Sequence, residues 1–246
     1  MQVWRFLTPQ ALPWTLARLR EFAVDWVSGA PPRTEQVAAF VAAHARRGDP
    51  AHVLATMDRF AREERFLMNV GPDKGPLLYE LLDALPRPAR VLELGAFCGY
   101  SAILIADRLG PQGHLVSIEK SGTSARVSRA NVAHAGLSER VELIHGSSSE
   151  EIPKLEGPFD LVFLDHWKDL YETDLRLLES NGLLRPGSVV VADNVGQLFG
   201  AEAYLDYVRS CGRYDSENRL STVEYSEMED AVEISIYQGA ARATPA

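Results

Sequence analysis

The fold of this chain is decided by a segment with the pattern of a strand followed by a helix, Leu92-Glu93-Leu94-Gly95-Ala96-Phe97-Cys98-Gly99-Tyr100-Ser101. Gly95 permits a tight turn that brings the backbone close to a ligand, and Tyr100 opens the helix. The spacing is not G-x-G-x-x-G, because the glycines stand at positions 95 and 99. The segment therefore predicts a nucleoside-binding α/β fold and disfavours a dinucleotide-dependent dehydrogenase.

Strand-like runs alternate with helical stretches on both sides of this loop, which predicts βαβ units and a parallel sheet. A short acidic link between the last two runs predicts an antiparallel hairpin at the C-terminal end. Upstream, the pattern predicts capped helices over residues 34–47 and 51–66 and a third helix from about Lys74. The predicted strands lie at residues 90–94, 114–118, 141–144, 159–164, 188–192, 221–225 and 232–237.

The composition is that of an ordinary globular protein, with 246 residues of which 46% are hydrophobic and 24% are charged. A formal net charge of -9 argues against a nucleic-acid partner, since phosphate binding requires clustered Lys and Arg. The two cysteines, Cys98 and Cys211, lie in different segments, so neither a disulfide framework nor a Cys-rich metal site is predicted. We expect a cytoplasmic protein with a small-molecule ligand, and the sequence leaves its oligomeric state open.

The N-terminal region is predicted to be a largely helical accessory segment over residues 1–33, followed by one catalytic domain over residues 34–246. Charged residues interrupt its apolar runs, which excludes a membrane span of about 20 apolar residues. Residues 12–26 are typical of an amphipathic helix. Such a helix could pack on a second subunit or on a membrane surface, but we expect it to pack on its own domain.

Oxygen-bearing side chains follow two neighbouring strands of the predicted sheet. Asp165 ends the fourth strand, and Asp193 and Asn194 end the fifth. Ligation by oxygen alone favours Mg²⁺ over zinc. The alternative, in which these acids only cap helices, explains fewer of the three groups.

Lys168 and its neighbours are predicted to complete the reactive part of the site. Lys168 follows Asp165 by three residues, so it can reach the same cleft, where partial burial beside a cation favours the neutral amine of a general base. The alternative is a surface lysine beside Asp169. Trp167 suits the wall of a cleft for a flat ring, and His166 is predicted to pack there or to stack on adenine.

The second and third strands are expected to contact the nucleoside. Glu119 ends the second strand, where its carboxylate can accept hydrogen bonds from both ribose hydroxyls. The segment Gly146-Ser147-Ser148-Ser149 follows the third strand, where the adenine edge would lie, although a helix cap explains these serines equally well. Glu93 would provide a negative charge near a sulfonium and an amino group.

Four segments together closely resemble the catechol O-methyltransferase family, a resemblance that runs from about residue 35 to residue 239. They are Leu92 to Ser101, Phe163-Leu164-Asp165-His166-Trp167-Lys168-Asp169, Ala192-Asp193-Asn194-Val195 and Ile236-Tyr237-Gln238-Gly239. Shorter matches stand upstream at Met68-Asn69-Val70-Gly71 and Lys74-Gly75. The resemblance implies a Rossmann-like class I methyltransferase fold, with a mostly parallel seven-stranded sheet, a C-terminal antiparallel hairpin and helices on both faces.

The resemblance also implies the cofactors and the role of each residue. It implies S-adenosylmethionine as methyl donor, Mg²⁺ held by Asp165, Asp193 and Asn194, a catechol substrate, and catalysis by Lys168 and Glu224. The substrate cleft it implies is formed by Met68, Trp167, Lys168, Asn194, Leu198 and Glu224. The implied cofactor pocket comprises Val70, Glu93, Gly95, Tyr100, Ser101, Glu119, Lys120, Gly146, Ser147, Ser148, Ser149, Asp165 and His166.

The sequence departs from the family pattern at three places. Phe66 replaces a tryptophan at the substrate entrance, Lys120 replaces an apolar residue after the ribose-binding acid, and residues 195–199 lack the usual proline. We expect these changes to affect substrate preference and adenine packing. The alternatives are a methyltransferase for caffeoyl-type or other natural-product catechols, and a catalytically silent methyltransferase-like interaction protein.

Overall fold

The strands form one sheet in the computed structural model, which describes residues 3–9 and 11–239. They are β1 Arg90–Leu94, β2 His114–Glu119, β3 Val141–His145, β4 Leu161–Leu164, β5 Val189–Ala192, β6 Tyr214–Thr222 and β7 Glu229–Tyr237. Their order is β3-β2-β1-β4-β5-β7-β6. The first five strands run parallel, and β7 is antiparallel to β5 and to β6. The predicted sheet with its C-terminal hairpin is confirmed.

Helices cover both faces of the sheet, as predicted. The described helices are α1 Leu12–Ser28, α2 Arg33–His44, α3 Pro50–Glu63, α4 Gly71–Asp83, α5 Tyr100–Leu109, α6 Gly122–His134, α7 Ser148–Glu151, α8 Tyr171–Ser180 and α9 Glu202–Ser210. Alternate strand residues point to opposite faces. Val91 of β1 packs with α2 to α6, and Leu92 packs with α8 and α9. The inner parallel strands β1, β2, β4 and β5 are therefore buried on both sides and mostly apolar, whereas β3 at the edge is only partly buried.

The hairpin begins earlier in the chain than its apolar pattern predicted. The strand expected at residues 221–225 is β6, Tyr214–Thr222, and Glu224 lies in the turn that follows it. β6 is the edge strand of the sheet, and Leu220 on it is 89% exposed. An edge strand with wetted faces needs no apolar alternation, so periodicity could not locate it.

The helix boundaries differ from the predicted ones by a few residues. α2 begins at Arg33, so Thr34 is a buried helical residue, and the N-cap position is Pro32 without a side-chain cap. α4 begins at Gly71 because Pro72 is tolerated at the start of a helix, where its missing N–H costs nothing. The predicted outer bounds, residues 1 and 246, lie outside the described residues.

The N-terminal region forms a short 3₁₀ turn, Val3–Leu7, followed by α1. Trp14 of α1 contacts Phe66, so α1 lies against the segment between α3 and α4. Across residues 3–9 and 11–239, no helix combines the length and the apolar character that a bilayer crossing needs.

Candidate active site

The carboxyl ends of β1, β4 and β5 bring the predicted metal ligands to one edge of the sheet. The Asp165 amide donates to the carbonyl oxygen of Leu94 at 2.9 Å, and the Asp193 amide donates to that of Leu164 at 2.9 Å. Asn194 has a φ of +52°, in the left-handed region that asparagine tolerates better than most residues. This backbone conformation is typical of functional sites, where the surrounding structure compensates the strain.

The side-chain nitrogen of Lys168 lies between two of these predicted oxygen ligands. Its Nζ is 3.3 Å from Asp165 Oδ1 and 3.2 Å from Asn194 Oδ1, and it donates to the Tyr171 hydroxyl at 2.8 Å. That hydroxyl is 2.7 Å from the carbonyl oxygen of Leu164 and can donate to it. Lys168 is therefore an oriented group of the cleft, and the surface-lysine alternative does not describe it.

A second, buried lysine contacts the same site from α4. Lys74 Nζ donates to Asp193 Oδ1 at 2.5 Å and to Asp230 Oδ2 at 2.6 Å, and it lies 2.7 Å from Glu224 Oε1. Although burial opposes it, these carboxylates raise the pKa of Lys74, so the ammonium is charged. Asp230 also accepts from Asn194 Nδ2 at 2.7 Å.

The role of Asp230 was not predicted from sequence, and Lys74 was noted only as part of the resemblance. Asp230 lies on β7, in the stretch that connects the hairpin turn to the sheet. The sequence pattern around Asp230 is that of an ordinary strand. Only the pairing of β7 with β5 places it beside Asp193 and Asn194.

The charges of this cluster suit a divalent cation. Four carboxylates face two ammonium groups, which leaves a formal charge of minus two when all six are ionised. Burial raises the pKa of Asp165, so its ionised form requires such a counter-charge. In the described residues, no three His, Cys, Asp or Glu side chains form a metal-binding group. The predicted ligand set has a different composition, two carboxylates and an amide, and its hard oxygens fit Mg²⁺.

Glu224 is buried in the turn after β6 and faces the cluster. Its Oε1 lies 2.7 Å from Lys74 Nζ, and its Oε2 has no hydrogen-bond partner in the part of the chain that the structure describes. Burial and the neighbouring Asp193 raise the pKa of Glu224. The unpartnered Oε2 can accept a hydrogen bond from a ligand hydroxyl, which fits the predicted role of Glu224.

The loop after β1 packs closely against the backbone that follows β4. Gly95 has a φ of +100°, and a Cβ there would lie 2.5 Å from the carbonyl oxygen of Asp165. Before it, Glu93 is fully buried and accepts from the Ser117 hydroxyl, and burial raises its pKa to about 7. Glu93 Oε1 has no hydrogen-bond partner among the described residues. An orphaned carboxylate oxygen of this kind fits a cationic ligand.

Glu119 ends β2 with both carboxylate oxygens bonded to backbone amides. Oε2 accepts from the Phe97 amide at 2.9 Å, and Oε1 accepts from the Ser121 amide at 2.7 Å. Each oxygen retains a lone pair that could accept a hydrogen bond from a ribose hydroxyl. Lys120, which follows it, is exposed, so its side chain does not form a closed wall there.

The serines after β3 are organised by an acid that the sequence analysis missed. Ser148 and Ser149 donate to Asp174 of α8, and His166 Nε2 lies 2.9 Å from the same carboxylate. Burial opposes ionisation of Asp174, but these three hydrogen bonds lower its pKa. The Ser147 side chain makes no capping hydrogen bond, and Gly146 precedes it. His166 Nδ1 has no partner in the described chain, which leaves it for a ligand.

The remaining predicted residues lie partly at the protein surface and partly in the interior. Met68 is 40% exposed and Trp167 56%, with Trp167 Nε1 donating to Asp169 at 2.9 Å. Val70 lines a small pocket together with Lys74 and Asp193.

Of the predicted residues that remain, Tyr100 and Ser101 are buried, and Leu198 belongs to an apolar cluster. The buried Tyr100 side chain is directed at Asp58 of α3, and Ser101 beside it is also buried. Leu198 packs in an apolar cluster with Phe66 and Val223. The cluster therefore joins the loop after β5 to the segment before Met68.

Comparisons with known proteins agree with this geometry. A family model described as O-methyltransferase matches residues 48–203. Catechol O-methyltransferase B of Danio rerio is 42% identical over 212 residues, covering 84% of this chain and 80% of the relative. Catechol O-methyltransferase of Bos taurus is 39% identical over 84% of this chain and 77% of its own length. The solved structure of TomG, an O-methyltransferase from Streptomyces achromogenes involved in tomaymycin synthesis, in complex with SAM, has a TM-score of 0.65 and 27% identity over 76% of this chain and 89% of that chain.

Proposed function

The chain belongs to the O-methyltransferase family, and from this premise we propose that it transfers a methyl group from S-adenosylmethionine to one hydroxyl of a catechol in a Mg²⁺-dependent reaction. The observation that carries the proposal is the placement of Lys168 between Asp165 and Asn194 at the strand ends. Relatives named catechol O-methyltransferase at 38–42% identity support the substrate class.

Mg²⁺ would be held by Asp165, Asp193 and Asn194, where it would orient the catechol oxygens and acidify their protons. Lys74 donates a hydrogen bond to Asp193, so this side chain is oriented before anything binds. The formal charge of minus two in the cluster is the electrostatic reason to expect a divalent cation there.

Lys168 takes up the proton of the reacting hydroxyl at Nζ in this proposal. The Tyr171 hydroxyl orients that nitrogen, because it accepts one of the Lys168 hydrogens at 2.8 Å. Glu224 accepts a hydrogen bond from the second hydroxyl at its unpartnered Oε2. Both contacts hold the acceptor oxygen in one orientation toward the methyl donor.

S-adenosylmethionine would lie along the carboxyl ends of β1, β2 and β3, and it supplies an electrophilic methyl group. Gly95 permits its close approach, Glu93 would lie near its cationic end, and Glu119 would accept from the ribose hydroxyls. The serines held by Asp174 would contact the adenine.

The alternatives differ in substrate or in the absence of catalysis. A methyltransferase for caffeoyl-type or other natural-product catechols would use the same metal and base. A silent interaction protein would need neither a buried cluster of acids nor an oriented lysine, and this chain has both. The expected cytoplasmic location stays a prediction.

The proposal is tested by measuring methyl transfer to a simple catechol with Mg²⁺ and with EDTA. We expect activity only with the metal, and Asp193→Asn should lower the turnover number at least about 100-fold at fixed Mg²⁺. Asp206→Asn, an exposed acid on α9, is the matched control and should keep full activity. Undiminished turnover in EDTA would contradict the metal assignment, and no transfer to any catechol would contradict the substrate class.

A further inference from the structure

The outer face of α1 carries an apolar stripe with the spacing of a coiled-coil seam. Leu12, Leu16, Leu19, Ala23 and Trp26 follow one another at intervals of four, three, four and three residues. That is the a/d pattern through which two helices pair. All five side chains are exposed, Leu16 by 57%, Leu19 by 58% and Trp26 by 85%.

The opposite face of α1 is polar and aromatic, and it is the face that contacts the rest of the chain. Asp25 accepts from Arg33 Nε and from Arg65 Nε, both at 2.8 Å. Trp14 packs edge-on against Phe66 with 5.6 Å between ring centroids. These contacts fix the orientation of the helix, so its apolar stripe faces away from its own domain. An amphipathic helix normally buries the apolar face instead.

The area and the charge of this face suit a second copy of the chain. The stripe, with Phe22 and Val27 beside it, exposes on the order of 800 Å², about what one partner contributes to a specific interface. Both acids of α1, Glu21 and Asp25, are turned inward into ion pairs with Arg33. The outer face is therefore free of negative charge in a chain with a net charge of -9, so like copies can approach there.

We propose that the outer face of α1 is a dimer interface, at which it pairs with the α1 of a second copy about a two-fold axis. Such an interface is self-complementary, because each Leu16 and Leu19 packs against the same seam of the partner helix. The a/d repeat matches the seam of one facing helix, and the exposed Phe22, Val24 and Val27 lie on either side of it. Pairing would also stabilise the contacts of α1 with Phe66 beside the substrate cleft.

The test is sedimentation velocity of the full chain over a wide range of concentrations. We expect a concentration-dependent dimer, and the double substitution Leu16→Glu with Leu19→Glu should raise the dissociation constant at least about 100-fold. Leu220→Glu is the matched control, since this leucine is 89% exposed, belongs to β6 rather than to the stripe on α1, and should leave the dimer intact. Circular dichroism should show native folding in both variants, because all three leucines are solvent-exposed.

Two outcomes would overturn the dimer proposal. One is a wild-type chain that is monomeric at every concentration, and the other is a dimer that the double substitution leaves unchanged. Flotation with vesicles of phosphatidylcholine and phosphatidylserine distinguishes the membrane alternative. A monomer that floats with these vesicles, and loses this ability with the double substitution, would assign the stripe to a lipid surface instead.

Discussion

Lys168 is the residue on which the proposed chemistry depends. Its three hydrogen-bond partners orient Nζ toward the space above Asp165 and Asn194. Replacing it by Met keeps the length of the side chain but removes the basic nitrogen. Lys168→Met should lower the turnover number by about 10²- to 10⁴-fold, the usual contribution of a positioned base.

The measurement for this substitution is steady-state kinetics together with calorimetric titration of S-adenosylmethionine. The affinity for the methyl donor should be nearly unchanged, because Lys168 lies on the metal side of the cleft. Lys154→Met, which removes a lysine whose side chain is 63% exposed, is the control with normal turnover. Full turnover in Lys168→Met would show that another group takes the proton.

Glu93 links the cofactor loop to the pH dependence of stability. Burial raises its pKa from 4.5 to about 7 in the folded chain. Between these values the folded chain binds a proton that the unfolded chain releases, so its free energy of unfolding falls as pH rises through this window. The loss amounts to about 3 kcal/mol for the cofactor-free protein.

Glu93→Gln isolates this contribution, because glutamine resembles the protonated carboxyl at every pH. The stability of Glu93→Gln relative to wild type should increase by about 3 kcal/mol from pH 4.5 to pH 7. Urea denaturation of the cofactor-free proteins measures this difference. Glu217→Gln, at an exposed glutamate on β6, should show no such trend, and a pH-independent difference for Glu93→Gln would contradict the explanation.

At the scale of elements, α8 holds two loops of the cofactor side in place. Asp174 accepts from the serines after β3 and contacts His166 after β4, so one carboxylate joins two strand ends. Asp174→Asn keeps the size of the side chain but replaces an acceptor oxygen by a donor. Loss of charged, buried hydrogen bonds costs about 1.5–3 kcal/mol, which corresponds to a 10- to 100-fold weaker affinity for S-adenosylmethionine.

Calorimetry measures this affinity, and the turnover number at saturating methyl donor should change much less. Asp215→Asn, at an exposed position on β6, is the matched control and should bind normally. If Asp174→Asn binds S-adenosylmethionine as tightly as wild type, the serines do not contact the cofactor through this arrangement.

At the scale of the whole molecule, ion pairs connect the N-terminal helix α1 to the segments beside the predicted substrate cleft. Asp25 of α1 bridges Arg33 and Arg65, and burial of its carboxyl is outweighed by these two hydrogen bonds, which lower its pKa. Asp25→Ala removes both bridges. We expect faster hydrogen exchange across α1, by about 10-fold or more, and a several-fold higher KM for the catechol.

Hydrogen exchange with mass spectrometry and steady-state kinetics measure these two effects. The affinity for S-adenosylmethionine should be unchanged, since α1 contacts Phe66 rather than the strand ends that would hold the cofactor. Asp83→Ala removes an exposed ion pair with Arg108 and is the control for a general loss of surface charge. An unchanged exchange rate in α1 would show that its aromatic contacts suffice to hold it.

The sequence alone was sufficient for the sheet, the loop after β1 and the strand-end positions of the predicted metal ligands. Continuous apolar runs locate buried parallel strands, and parallel strands place their carboxyl ends at one edge. Asp165, Asp193 and Asn194 could therefore be predicted to lie together, and the structure brings them together. Lys168 was predicted by the same reasoning, because it follows Asp165 closely in the chain.

Only the tertiary structure decided the buried Lys74, Asp174 and Asp230, the start of β6 and the orientation of α1. Each of the first three has a partner far from it in sequence, Asp193 for Lys74, Ser148 for Asp174 and Asn194 for Asp230, and nothing in the local pattern records it. β6 has wetted faces and no apolar period. For α1 the sequence showed an apolar stripe but not whether that stripe faces the domain or the solvent. The orientation depends on which is more favourable, burying the stripe or pairing Asp25 with Arg33 and Arg65. The domain satisfies the charges and leaves the stripe exposed.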